Sequence, residues 1–273
     1  MNITKQSIGK DLTLLREKNP LVHNITNYVV MNFTANMLLA SGASPVMAHA
    51  IEEVEDMVSI ASALVINIGT LSPSWVESMI KAGKAAAKKG IPVILDPVGV
   101  GATPYRTDTA KRIIDECDIT VIRGNASEIL SLRDSSAGSK GVDSMHSIDT
   151  AEDAAVAMAN ELTITVAVTG DIDLVTDGTG IVRIQNGHPL MGKVTGTGCS
   201  ASAITAAFAA INDDTLAATA AALTCFGIAG ELASEHAEGP GTFTTALIDA
   251  LYNLSIDDIN RLAGITIQDR KDI

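Results

Sequence analysis

The stretch ALVINIGTLSPSWVESMIKAGKAAAKKGIPVILDPVG, Ala63 to Gly99, decides the fold class. Ala63 to Ile68 is a short apolar run with the length and branching of a fully buried strand. Ser72-Pro73 is a helix start, with Ser as the cap and Pro at the first turn. Val76, Met79, Ile80, Gly83 and Ala87 then fall on one helical face, and Lys88-Lys89-Gly90 carries the usual ending signature. Ile91 to Leu95 is a second buried strand, closed by Asp96-Pro97. Strand, helix and strand with nearly continuous apolar strands make a βαβ unit of a parallel sheet.

The pattern extends in both directions. Upstream, Lys5 to Lys18 reads as an amphipathic helix and Leu21 to Asn27 as a short extended piece with polar groups. Asn27 or a neighbour caps a helix through Ser41, with Gly42 ending it. Gly42 to Met47 reads as a tight turn and a short strand. Downstream, Ile119 to Ile122 is a strand that runs into Arg123-Gly124-Asn125-Ala126-Ser127-Glu128, the opening of a helix. Ser135 to Met145 is the best loop candidate, and Asp149 or Thr150 caps a helix to Leu162. Thr163 to Val168 reads as a strand ending in Thr169-Gly170. Leu174 to Gln185 reads as a hairpin about Asp177-Gly178, the one antiparallel piece. After it come only helices, Ser200–Ile211, Thr215–Glu235 and Phe243–Leu254, with Gly239 to Thr242 a rigid loop before the last. No linker or repeat divides the chain, so residues 1–273 are expected to form a single α/β domain.

Composition narrows the class further. Of 273 residues, 47% are hydrophobic, 19% charged and 3% aromatic. The chain is therefore globular, with a core of small and aliphatic side chains. A net charge of −13 argues against nucleic acid or an anionic membrane as partner. It leaves room for an anionic substrate held by a local nest of amides or an arginine. The three cysteines, Cys117, Cys199 and Cys225, show no zinc or disulfide spacing, which suits a reducing, cytoplasmic compartment. No apolar leader is apparent at the start. Thr215 to Ala233 is weakly polar but Ala- and Thr-rich with Glu231 inside, so it reads as a core helix, not a membrane span.

Val194-Thr195-Gly196-Thr197-Gly198-Cys199-Ser200 leads into the Ala-rich run 201–210. A glycine turn opening a helix presents free amides and the positive end of the macrodipole, a phosphate site. A cysteine there is expected to have a lowered pKa. The alternative is a plain helix start beside a buried cysteine. Three polar clusters stand at strand ends, where ligands of open α/β sheets bind: Asp96, Arg123/Asn125/Glu128 and Thr169-Gly170. Asp96 and Glu128 are hard oxygen ligands suited to a Mg²⁺ that bridges phosphates. Arg123 can fork a phosphate. Each alone also fits a turn, a helix N-terminal charge or a surface ion pair. The P-loop pattern is absent. G-x-G-x-x-A does match at Gly196 to Ala201, with Asp213 and Asp214 downstream, but a dinucleotide site needs that loop after the first strand of a βαβ unit.

Taken together, these segments resemble the hydroxyethylthiazole kinases of the ribokinase-like superfamily. The resemblance rests on LVHNITNYVVMNFTAN (21–36), GASPVM (42–47), NIGT (67–70), LDPVGVGAT (95–103), RGNASE (123–128), VTGTGC (194–199) and GPGTF (239–243). It implies a three-layer α/β/α fold with a mostly parallel central sheet. It also implies ATP-dependent phosphorylation of the hydroxyl of 4-methyl-5-(2-hydroxyethyl)thiazole, in thiamine biosynthesis or salvage. By similarity, Asn24, Met47 and Gly196 contact the thiazole and Arg123 and Thr169 contact ATP. Asp96 and Glu128 organise Mg²⁺, while Gly196, Gly198 and Cys199 stand at the transfer. The family's homotrimer places its sites at subunit interfaces. Relatives in the wider superfamily usually carry Asp where this sequence has Cys199, and Thr197 stands where Ala is more usual. Two rival readings are a non-catalytic thiazole- or thiamine-binding protein and a hydrolase with Cys199 as nucleophile. A hydrolase needs a histidine at the thiol, and none of His23, His49, His146, His188 and His236 belongs to a signature that places one there.

Overall fold

The computed structural model describes residues 3–136 and 148–269. In chain order the first half comprises α1 (Lys5–Lys18), β1 (Leu21–Ile25), α2 (Met31–Ser41), β2 (Ser44–Val46), α3 (Val54–Ile60), β3 (Ala63–Asn67), α4 (Pro73–Lys89), β4 (Val93–Asp96), α5 (Pro104–Glu116) and β5 (Val121–Asn125). The second half comprises α6 (Ala126–Ser136), α7 (Ile148–Leu162), β6 (Thr165–Thr169), β7 (Asp173–Thr176), β8 (Gly180–Ile184), a 3₁₀ turn (Pro189–Lys193), α8 (Thr197–Ala209), α9 (Thr215–Ser234), α10 (Pro240–Asn253), α11 (Ile256–Leu262) and β9 (Ile265–Asp269).

The nine strands among the described residues join one sheet in the order β2-β1-β3-β4-β5-β6-β7-β8-β9. From β2 to β6 every pairing is parallel, and from β6 to β9 every pairing is antiparallel. Alternate residues of the strands feed two cores. Val22, Val65, Ile94, Val121 and Ala167 face α1, α2 and α8–α10. Leu64, Ile66, Leu95, Ile122 and Val166 face α3–α7. This is the three-layer arrangement expected of strands buried on both faces.

In the βαβ unit, Ser72 caps α4 by accepting from the Trp75 N–H (3.4 Å), Pro73 opens it and Gly90 ends it at φ +74°. Val76, Met79, Ile80 and Gly83 are buried as the periodicity requires, whereas Ala87 is exposed and Ala82 and Ala86 complete the face. Helix α9 is the one helix among the described residues long and apolar enough to cross a membrane. Its side chains lie in the first core, against α8 and α10.

Several sequence expectations are corrected. A strand, β9, follows the glycine turn and its helices; the alternating Ile265-Thr266-Ile267-Gln268 is its signal, and it pairs with β8. The antiparallel part is thus larger than a hairpin. Helix α2 begins only at Met31, and its cap residue Val30 offers no side-chain bond. Asn27 does not cap it, because its amide is engaged by Asn67 and Cys199. Gly239 to Thr242 is not a rigid loop ahead of the helix but its start: Pro240 opens α10, and the Thr242 hydroxyl accepts the N–H groups of Glu238 and Gly239 (2.9 and 3.2 Å). Ser135 and Ser136 still belong to α6, and the rest of the expected loop lies outside the described residues; α7 starts at Ile148, ahead of the expected caps Asp149 and Thr150. Helices α3 and α5 are additions to the elements read from the sequence. The cap of α5 follows the rule used at α4, with Thr103 accepting from the Arg106 N–H and Pro104 next.

Candidate active site

The carboxyl ends of β3 to β6 point to one edge of the sheet, and the N-terminus of α8 is set against them. Gly196 makes this approach feasible. Its φ is +95°, in the region glycine favours, and an added Cβ would meet Phe33 at 2.9 Å and Val30 at 3.1 Å. The helix starts at Thr197, so the turn itself supplies the first helical residues, earlier than the Ala-rich run suggests. The first intrahelical bond runs from Ser200 N–H to Gly196 O (2.8 Å). The N–H groups of Thr197, Gly198 and Cys199 therefore have no intrahelical acceptor and are available to an anion. The Thr197 hydroxyl donates back to Met191 O and Val194 O (2.8 and 3.1 Å) and ties the turn to the 3₁₀ segment before it.

The turn divides the site. On one side Gly198 faces Arg123, whose Nη1 would lie 3.1 Å from a Cβ at that position. Arg123 Nη2 donates to the Thr169 hydroxyl, while its Nε is buried without a protein partner. A cavity of about 610 Å³ opens there, lined by Arg123, Thr169, Gly198, His188, Met191 and Phe226 among others. On the other side Gly196 abuts Val30 and Phe33 of the α2 region. Asn24 lies in β1 and Met47 directly follows β2, the two strands at the edge of the sheet away from Arg123 on β5. Asn24 is 1% exposed, with its Oδ1 unpartnered, and Met47 is half-buried. Neither lines the cavity with Arg123.

Behind the turn lies a buried polar chain. Asn67 and Asp96 are register partners at the ends of β3 and β4. Asn67 Nδ2 donates to Asp96 Oδ2 (2.9 Å), and the Ser202 hydroxyl donates to the same oxygen (2.8 Å). Asn27 Nδ2 donates to Asn67 Oδ1 (2.9 Å) and to Cys199 Sγ (3.5 Å). Burial pushes the Asp96 carboxyl up to about 6, against the pull of Arg123 and its two hydrogen bonds, with Glu128 adding to the rise. Glu128 accepts the N–H of Gly99 on Oε1 (2.9 Å) and that of Asn125 on Oε2 (2.8 Å). Since Asn125 Oδ1 in turn accepts the Glu128 N–H, the pair is a capping box for α6. Glu128 thus pins the loop after β4 to the end of β5.

The Cys199 expectation is overturned. Its thiol is pushed up to about 11, first by burial and then by Asp96. These outweigh the helix N-terminus and the amide donors of Asn67 and Asn27. The sequence shows the helix start but neither the burial nor the carboxylate. Asn67 and Ser202 were missed as site residues. The available signals are a polar residue closing an apolar strand and a serine three positions after Cys199, flanked by Ala201 and Ala203.

Residues 12–257 match the hydroxyethylthiazole kinase family. The chain belongs to this family. It is 56% identical over 253 residues to the hydroxyethylthiazole kinase of Desulfotalea psychrophila, covering 93% of each chain. Among solved structures, the hydroxyethylthiazole kinase protein from Pyrococcus horikoshii superposes with a TM-score of 0.91 at 46% identity, over 97% of this chain and all of that one. A ribokinase-like superfamily protein from Enterococcus faecalis shares the fold at a TM-score of 0.63 and 14% identity, over 90% of this chain and 95% of that one. The kinase therefore has the ribokinase-like architecture, and the expected fold class holds.

A second acid beside the kinase's cavity has a measurable consequence. Asp173 Oδ1 accepts the Gly170 N–H (3.0 Å), and burial raises its carboxyl from 3.8 to about 6, only partly countered by that bond and by Arg123. A carboxyl raised in the folded state lends stability that is full below the unfolded pKa and is lost as pH rises through about 6. Asp173→Asn keeps an acceptor for Gly170 and cannot ionise. It is expected to be more stable than the parent at pH 8, by on the order of 1 kcal/mol after allowance for partial exposure. The gain should vanish near about pH 4. Urea unfolding at the two pH values checks this; a difference independent of pH refutes it.

Proposed function

We propose that the kinase, acting as one domain over residues 1–273, transfers the γ-phosphoryl group of ATP to the hydroxyl of 4-methyl-5-(2-hydroxyethyl)thiazole. The product is the thiazole phosphate used in thiamine biosynthesis or salvage. The observation that carries this reading is the glycine turn. Its free amides stand between an Arg123-lined cavity on one side and the α2 side on the other. That is the arrangement a phosphoryl group needs when it passes between two substrates, because catalysis here is positioning and charge stabilisation.

In this reading ATP occupies the cavity, with Arg123 and Thr169 on its phosphates. The amides of the Gly196–Cys199 turn take the oxygens of the group in flight. The thiazole lies on the Gly196 side, against Met47 and the free amide oxygen of Asn24. Asp96 and Glu128 fit a Mg²⁺ that keeps most of its waters. Both are hard carboxylates, electrostatically coupled to each other. The two protein donors to Asp96 share Oδ2, whereas both Glu128 oxygens already hold amides. Asp96, with Oδ1 free of protein donors, would supply a ligand oxygen, and Glu128 would act mainly through its charge and its hold on the β4 loop. When bound, the ion draws charge from the ATP phosphates.

Cys199 faces Asn27, Asn67, Asp96 and Arg123, and no histidine is among these groups, which weighs against the hydrolase reading. A cytoplasmic setting belongs to the same proposal and is supported by the three free thiols. So does a homotrimer with shared sites. Tyr28, Val29 and Leu39 expose apolar surface around α2, at 66, 65 and 58%, next to the Gly196 side of the turn. Light scattering should give three times the 28.3 kDa chain mass; the single-chain mass refutes the trimer. The deciding experiment for the activity incubates the protein with MgATP and the thiazole alcohol and follows ADP and thiazole phosphate. Equal amounts of the two products support the reading. Binding of the alcohol without turnover points instead to a thiazole-binding protein.

A further inference from the structure

Glu231 is the one charged residue in α9, a helix otherwise built of Ala, Thr, Leu, Gly and similar side chains. A half-buried carboxylate in such a helix costs free energy unless it is met by donors. Here it is met: Oε1 accepts the Gly187 N–H (3.0 Å) and Asn186 Nδ2 (2.9 Å). Neighbouring positions on the same helical face are glycines. A Cβ at Gly227 would meet Asn186 O at 2.7 Å, and one at Gly230 would meet Met191 Sδ at 2.5 Å. Positions 227, 230 and 231 are adjacent on a helix, so they form a bed on which the segment from Asn186 to Met191 lies.

That segment is one wall of the cavity, through Asn186, Gly187, His188 and Met191. Gly187 has φ +138°, a conformation side chains rarely adopt, and its N–H is the group Glu231 holds. Asn186 adds a second tether, donating to Leu262 O (2.9 Å) and accepting the Gly264 N–H (2.8 Å) from the segment leading into β9. Glu231 does not itself line the cavity. It fixes the wall from behind, and the same segment is joined to the glycine turn where the Thr197 hydroxyl donates to Met191 O.

We infer that Glu231 is a positioning residue for the nucleotide: by holding Gly187 and Asn186 it sets the shape of the cavity wall that receives ATP. The inference rests on the reading of this cavity as the ATP site. Its signature is a split between the substrates, since the thiazole side lies across the turn. Glu231→Ala should raise KM for ATP, and the Kd of a non-hydrolysable ATP analogue with Mg²⁺, by about tenfold. KM for the thiazole alcohol and kcat should change by less than about threefold. Glu231→Gln keeps an acceptor oxygen without the charge and should raise the nucleotide Kd by about two- to fourfold.

Calorimetric titration with the analogue, circular dichroism to verify folding, and steady-state kinetics in both substrates give the answer. A folded Glu231→Ala protein with parental nucleotide affinity, or a loss shared equally by both substrates, overturns the inference. Should Glu231→Ala fail to fold, Glu231→Gln decides, and an unchanged nucleotide Kd in that variant overturns it. If the parent protein itself binds no analogue, the reading of the cavity as an ATP site falls, and this inference with it.

Discussion

Asp96→Asn should lower kcat by about 10³-fold or more while leaving affinity for the thiazole alcohol nearly unchanged. The carboxylate is 1% exposed and sits at the end of β4, held by Asn67 and Ser202 through a single oxygen. Asparagine keeps the shape and an acceptor for both donors, so the variant removes charge rather than structure. If that charge organises Mg²⁺ and the phosphates, its loss is felt in turnover, where charge moves, and not in binding of a neutral alcohol. Stability should move the other way. Burial works against the ionised form of Asp96, so a neutral amide at that position relieves a cost, and the variant should unfold at equal or higher denaturant than the parent. Lost activity with retained or increased stability is the behaviour of a group kept for function. Kinetics at saturating MgATP together with urea unfolding test both halves. Near-parental kcat would reduce Asp96 to a strand-end structural acid.

Much of the parallel half of the fold is legible in the sequence because strands buried on both faces read as apolar runs. β3 and β4, with α4 between them, follow from residues 63–96 alone. The antiparallel end is less legible. The hairpin β7–β8 announces itself through Asp177-Gly178, but β9 is five residues near the end of the chain and its partner is fixed only by register with β8. α3 is seven residues long, too short for a clear period, and α5 carries many polar residues on a thin apolar face.

The candidate site divides similarly. Asp96, Arg123, Glu128 and Thr169 were visible because parallel sheets present ligand-binding groups at strand ends. The partners that orient them were not. Asn67 reaches Asp96 because β3 and β4 are in register, and Ser202 reaches it because α8 crosses those ends. Both facts belong to packing between elements, which a linear pattern does not contain. The same limit explains Cys199. Its place at a helix start is local and readable, whereas its burial and its nearness to Asp96 are not.

Cys199 gives the sharpest test of mechanism. With its thiol pushed up to about 11, it is protonated at neutral pH and is neither a ready nucleophile nor a ready base. A loose phosphoryl transfer needs little help from a base, because the hydroxyl loses its proton late. Cys199→Ala should therefore retain measurable activity, with a loss at the low end of the roughly 10²–10⁴-fold range of general acid–base catalysis. Cys199→Asp should equal or exceed the parent, because the introduced carboxylate can accept the proton in its ionised form at neutral pH. Its neighbour Asp96 gives a further mark. Two carboxylates at close range raise one another's pKa, so kcat of the Asp variant should climb with pH through an ionisation absent from the parent. A covalent mechanism requires the opposite: an inactive, folded Asp variant and a phosphocysteine detectable by mass spectrometry in the parent. Those two observations together would replace direct transfer with a two-step path through the sulfur.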